Sequence, residues 1–145
     1  MTTLEAVKSI LTPVLALILW SFVMWIWMYV TRIPAITRAG IDPDQAREPS
    51  SLNALPLKVR QVAYNYNHLM EQPTIFYALV FYTYLTHRWV SDLDLALAWA
   101  YVALRVVHSL IQATINAVKI RFAVHVLGTL VLMALAAHDV WRLLG

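Results

Sequence analysis

Four apolar stretches decide what this chain can fold into: about 7–30, 74–85 with a polar N-terminal extension, 95–117 and 122–144. Each can span a hydrocarbon layer roughly 30 Å thick, the second only with its extension. The composition agrees, because 61% of the 145 residues are hydrophobic, only 13% are charged and the mean hydropathy is +0.64. A soluble globule does not reach these values. The expected fold is therefore all-α, an integral membrane four-helix bundle in a single domain. The spacing predicts helices over about 7–32, 57–86, 94–118 and 121–144, with a long loop over about 33–56.

The first stretch follows Lys8 but is too long and too aromatic for a cleaved signal peptide, and no small-x-small site follows it. It is expected to stay as helix 1. With no cysteine in the chain, disulfides, thiol catalysis and cysteine-held metals are excluded. No His/Asp/Glu spacing suits a metal site either. There are no repeats, low-complexity tracts or basic runs of the nucleic-acid-binding kind. Basic residues gather in two connections, Arg32, Arg38, Arg47, Lys58 and Arg60 in one, Lys119 and Arg121 in the other, against Lys8, Arg88 and Arg142. The positive-inside rule then predicts both connections in the cytoplasm and both termini outside; the compact chain looks bacterial, which makes an inner membrane the expected location.

Local punctuation refines the helices. Trp20, Trp25, Trp27 and Tyr29 suit an interfacial belt. Pro34 is expected to stop helix 1, and Gly40, Pro43, Pro49, Ser50, Ser51 and Pro56 mark the loop after it. Pro73 is expected to kink helix 2. Asp92 and Asp94 suit the first turn of helix 3 through the macrodipole, and residues 118–121 are expected to form the turn or continuation into helix 4.

Polar residues interrupt these apolar segments in a regular way. One stripe runs Arg60, Tyr64, Asn67, Glu71, with a second strip of Asn65, His68 and Gln72 beside it. Another runs Arg105, His108, Gln112, Asn116, Lys119. Steps of three and four residues put each on one helix face. Ionisable groups at such depth cost roughly 2.5 to 3.5 kcal/mol each on insertion scales and mark functional candidates. The bland alternative is hydrogen bonding between helices, at about 0.6 kcal/mol per bond. Arg105 needs an acidic partner or a wet cavity, and Glu71 is read as the only carboxylate within a membrane segment, so an Arg105–Glu71 pair is expected. His125 and His138 are assigned no role. Arg32, Arg38, Arg60, Lys119 and Arg121 converge at one level, a basic funnel suited to an anionic, water-soluble ligand.

Residues 59–79, VRQVAYNYNHLMEQPTIFYAL, resemble the second-helix signature of the MAPEG superfamily, the membrane-associated proteins in eicosanoid and glutathione metabolism. Residues 104–121, LRVVHSLIQATINAVKIR, are similar to that family's third helix, with an Arg-x-x-His start and a terminal arginine. The resemblance, to a bacterial-type member, extends over nearly the whole chain. It implies a homotrimer binding glutathione between subunits near the cytoplasmic face, in contact with membrane lipid and a hydrophobic small-molecule substrate. By resemblance Asn67 and Glu71 match the helix-2 glutathione contacts, Arg105 and His108 the helix-3 contacts, and Arg38 a basic residue after helix 1. Arg121 matches the arginine that stabilises the glutathione thiolate, the catalytic role. Arg60, Tyr64 and Gln112 complete the expected binding set, Gln112 standing where the family usually has tyrosine.

The implied function is a glutathione-dependent transferase or peroxidase acting on hydrophobic electrophiles. A guanidinium beside the sulfur in a partly dehydrated site favours the thiolate, as cationic neighbours do for cysteine. The alternative is a non-catalytic lipid-binding or scaffold member of the same fold. A small proton-coupled exporter is disfavoured, since such exporters more often hold their carboxylate in helix 1 without buried arginine partners.

Overall fold

The computed structural model of the protein describes residues 3–42, 44, 46–87 and 89–144, without the side chains of residues 3–9 and of Pro49. Pro43, Arg88 and the Lys8 side chain, which entered the loop and charge arguments, lie outside the described residues. The regular elements of the described residues are all helical: α1 (Thr3–Arg38), a 3₁₀ turn (Pro49–Ala54), α2 (Leu57–Leu69), α3 (Gln72–Thr86), α4 (Asp92–Ala113) and α5 (Val118–Leu144). Three helices, α1 over Ile10–Arg38, α4 and α5, are long and apolar enough to cross a membrane. The short α2 and α3 together make the fourth arm of the bundle. The closest-packed pair is α4 and α5, while α1 packs against α2, α3 and α4.

Helix 1 is longer than the sequence predicts. Pro34 sits inside α1 without ending it. The stop comes at Gly40, whose φ of +63° lets its N–H reach the Thr37 carbonyl (3.2 Å) while the Ile41 N–H reaches Ile36 (3.3 Å). This is the Schellman closure, which a glycine adopts without a Cβ penalty. The long loop is correspondingly shorter and contains the 3₁₀ turn.

Helix 2 is divided rather than kinked. The break falls at Met70 and Glu71, ahead of Pro73, which occupies the first turn of α3, where its missing N–H is of no consequence. Helix 3 ends early, at Ala113. The turn is at 114–117, with Asn116 at φ +49°, and residues 118–121 already belong to α5. Asn116 and Lys119 therefore leave the helix-3 stripe.

The core is built from Ile10, Leu17 and Met24 of α1, Leu69, Phe76 and Val80 of the broken arm, and Ala98, Tyr101, Leu132 and Leu135 of α4 and α5. Phe76 stacks on Tyr101 with ring centres 4.7 Å apart. Phe22, Ile26, Phe122, Leu130 and Met133 are among the many large apolar side chains left exposed, as expected of a surface that meets lipid.

Glu71 is not the only carboxylate in the bundle. Asp94 is fully buried at the start of α4, where Ser91 and Asp94 form a reciprocal capping box. Asp94 also accepts from His138 Nδ1 (2.7 Å) and Arg142 Nη1 (2.8 Å) on α5. Beside it, buried Asp139 accepts from Thr83 Oγ1 (2.7 Å) and His87 Nε2 (3.0 Å) of α3 and its cap. His138 thus has a structural role that its isolation in sequence concealed.

Replacing Asp94 by alanine strips three donors of their acceptor and is expected to destabilise the protein by about 3–5 kcal/mol, read as a lower midpoint of thermal unfolding in detergent. Asp92→Ala, on the exposed side of the same turn, is expected to change stability by less than about 1 kcal/mol.

Candidate functional site

Of the predicted site residues, three lie on the outward face of α2, while Arg105 and His108 of α4 meet its inward face at His68. Arg60, Tyr64 and Asn67, spaced i, i+4, i+7, face away from the bundle centre and line one wall of a cleft of about 80 Å³. Its other walls are Arg32 at the end of α1, Leu52 and Asn53 of the 3₁₀ turn, and Leu55. Arg60 is aimed by its Nε donating to the Leu55 carbonyl (3.0 Å). Arg32 lies along its own helix, with Nη1 3.9 Å from Met28 Sδ. Among the described residues no carboxylate lines the cleft, so two arginines border it without a counter-charge. Such a cleft suits an anion. At this volume it holds a few waters or a carboxylate, not a tripeptide.

The inward face of α2 carries Gln61, Asn65 and His68, and it meets α4 in antiparallel register. Gln61 Nε2 donates to the carbonyls of Ala113 and Thr114, both at 2.9 Å. One end of α4 is thereby satisfied. Arg105, 1% exposed, performs the converse service. Its Nη2 donates to the His68 carbonyl (3.0 Å) and to His68 Nδ1 (3.2 Å). That carbonyl is among the four that the end of α2 leaves without an intrahelical donor. The expected Arg105–Glu71 pair does not form. The compensating negative end is that of the α2 dipole, which favours a cation at the last turn, while the Glu71 side chain is 67% exposed.

Three histidines surround this contact. The His68 ring stacks on His108 (centres 5.2 Å, planes 19° apart) and meets His125 edge-on (5.1 Å). His125, given no role from sequence, is thus part of the group. His108 Nδ1 donates to the Arg121 carbonyl (3.1 Å), fixing its tautomer, and Nε2 lies 3.2 Å from the Gln112 amide. A neutral His108 then accepts at Nε2, so the amide orientation that satisfies both groups turns the Gln112 NH₂ toward the ring. Among the described residues no group of three His, Asp or Glu side chains is arranged to hold a metal.

Of the remaining predicted residues, Arg121 sits in the first turn of α5, half-buried, with Nη1 donating to the Asn116 side chain. Arg38 and Lys119 are exposed at the same end of the bundle and outside the cleft. The structure therefore gathers Arg60, Tyr64 and Asn67 with Arg32, and separately gathers Arg105, His108, Gln112 and the Arg121 backbone. Gln61 was missed by sequence reasoning. Its signal was present, because it precedes Asn65 by four and continues the second strip of Asn65, His68 and Gln72.

Gln61→Leu is expected to leave the end of α4 uncapped and to destabilise the protein by about 1–3 kcal/mol. Asn65 is fully buried with both amide atoms lacking a protein partner, so Asn65→Leu is expected to be neutral or stabilising in the same thermal unfolding assay.

No curated protein and no solved structure matches the chain. A family model, that of the MAPEG family, matches residues 10–141. This span takes in the cleft, both faces of α2, the histidine group and Arg121, and by it the chain belongs to the MAPEG family.

Proposed function

We propose that the protein is a glutathione-dependent membrane transferase or peroxidase acting on hydrophobic electrophiles, a reading in keeping with a family that includes such enzymes. The observation that carries it is the two-arginine cleft on the outward face of α2, where Tyr64 and Asn67 are exposed, with Glu71 exposed at the break just beyond. Polar groups at membrane depth face protein or water rather than lipid. In this reading a second copy covers them, and the working unit is a homotrimer with the tripeptide bound between subunits.

Arg32 and Arg60 take the carboxylates of the tripeptide, with Arg38 as an outer basic contact. Tyr64 and Asn67 hydrogen-bond its backbone, and Glu71 accepts its ammonium group. The thiol loses its proton to solvent, and Arg121 stabilises the thiolate left behind. The sulfur then attacks the electrophile, forming the S–C bond as the leaving group or π-electron pair departs. His108 and Gln112 act from behind by fixing the backbone of Arg121, and Arg105 by fixing α2. The electrophile arrives laterally from lipid. The basic end of the bundle is cytoplasmic in this reading, both termini lie outside, and the bacterial inner membrane is the setting.

A second reading, a non-catalytic lipid-binding member of the fold, is favoured by one feature. Between α1 and α4 runs an open apolar groove of about 660 Å³, lined by Leu19, Trp20, Val23, Trp99 and Val102 among others. An acyl chain fits such a groove.

Titrating detergent-purified protein with glutathione, while following the ultraviolet absorbance of the thiolate, separates the readings. The expected result is a thiolate signal in the wild type that Arg121→Ala abolishes, with conjugation slowed about 10²-fold or more. Unchanged turnover in a variant that still binds glutathione would overturn the role of Arg121. No binding at millimolar glutathione would favour the lipid-binding reading.

A further inference from the structure

Arginine only donates hydrogen bonds. The 3.2 Å contact between Arg105 Nη2 and His68 Nδ1 therefore makes Nδ1 the acceptor, and the ring proton resides on Nε2. That nitrogen lies near Glu71, with Nε2 3.8 Å from Oε2, outside hydrogen-bond range in the ligand-free protein. The same Nη2 holds the His68 carbonyl at 3.0 Å, so one buried nitrogen fixes both the ring and the backbone that carries it. His108 stacked on one side and His125 edge-on on the other restrict the ring plane further. Glu71 follows the end of α2 and stands at the N-cap of α3, yet its side chain makes no capping bond. Its carboxylate is free to be oriented by His68, whose side chain is itself 30% exposed.

We infer that Arg105 and His68 form a positioning relay that aims the Glu71 carboxylate at a primary ammonium group on the ligand, with Arg105 never touching that ligand. The inference rests on the glutathione reading above and adds a specificity device to it. Arg105 fixes the tautomer of His68, the Nε2–H of His68 draws one oxygen of Glu71, and the other oxygen takes the ammonium. The relay selects for a free amino terminus and is indifferent to the thiol, which lies in the province of Arg121.

The probes are glutathione and its N-acetyl derivative, which lacks the ammonium group, with dissociation constants measured by calorimetry on the full chain in detergent. The wild type is expected to prefer glutathione by about fivefold, the strength of a partly exposed ion pair. His68→Phe is expected to bring the two affinities together with that for the N-acetyl form unchanged. His68→Gln, whose amide nitrogen falls near the place of Nε2, is expected to restore the preference. In the ligand-free protein, ¹⁵N NMR should find the Nε2–H tautomer of His68 in the wild type and a tautomer mixture in Arg105→Met. A preference that survives His68→Phe, or an Nδ1–H tautomer in the wild type, overturns the relay. Should neither peptide bind the wild type, the glutathione reading falls, and the NMR result alone then upholds or overturns the positioning of His68 by Arg105.

Discussion

A helix end inside a membrane protein is a problem in hydrogen bonding, and its solution here organises the rest. The last carbonyls of a helix have no partner in their own helix, and hydrocarbon offers none. α2 and α4 run antiparallel and solve this for each other: Gln61 of α2 reaches the end of α4, and Arg105 of α4 reaches the end of α2. Each polar side chain finds acceptors where a neighbouring helix has them in excess. Because α2 can end in this way, the arm can break at Met70, and α3 can restart on Pro73 with Phe76 directed at Tyr101. A continuous helix would leave Arg105 without a carbonyl to bind.

The two ends of the bundle use charge differently. At the end formed by the C-termini of α3 and α5 and the start of α4, carboxylates are buried and saturated: Asp94 by His138, Arg142 and Ser91, Asp139 by Thr83 and His87. Breaking such a network leaves charges uncompensated, so it ties the elements together. At the opposite end Arg32 and Arg60 line one cleft, with no carboxylate among the described residues in its walls. One end is closed electrostatically and the other is left open to an anion.

How much of this was legible in the sequence follows from what each signal measures. Hydropathy reports where a helix can exist, and it yielded α1, α4 and α5 and the all-helical fold. It does not report where a helix stops: Pro34 looked like the stronger breaker, but the helix runs on to a glycine that adopts the left-handed conformation. Periodicity located both polar strips of α2, and it cannot say which faces inward. Asn65 and His68 proved to be the packed face, and Arg60, Tyr64 and Asn67 the open one. Formal charge suggested Glu71 as the partner of Arg105, because a helix dipole has no letter in the sequence. Asp94 and His138 lie 44 residues apart, and only the fold brings them together.

The length of α1 sets the depth of the open end. At 1.5 Å per residue its 36 residues extend about 54 Å, far more than a bilayer core of roughly 30 Å. Tilts of up to about 40° do not absorb the difference. Its exposed large apolar side chains run from Leu15 to Ile33, a stretch of about 28 Å that matches the hydrocarbon. Arg32 falls at the limit of that stretch, and so does the cleft it shares with Arg60. The helix acts as a depth gauge, fastening the cleft to the plane where acyl chains give way to headgroups. A thicker or thinner membrane would move that plane relative to the arginines, coupling the site to the lipid composition around it.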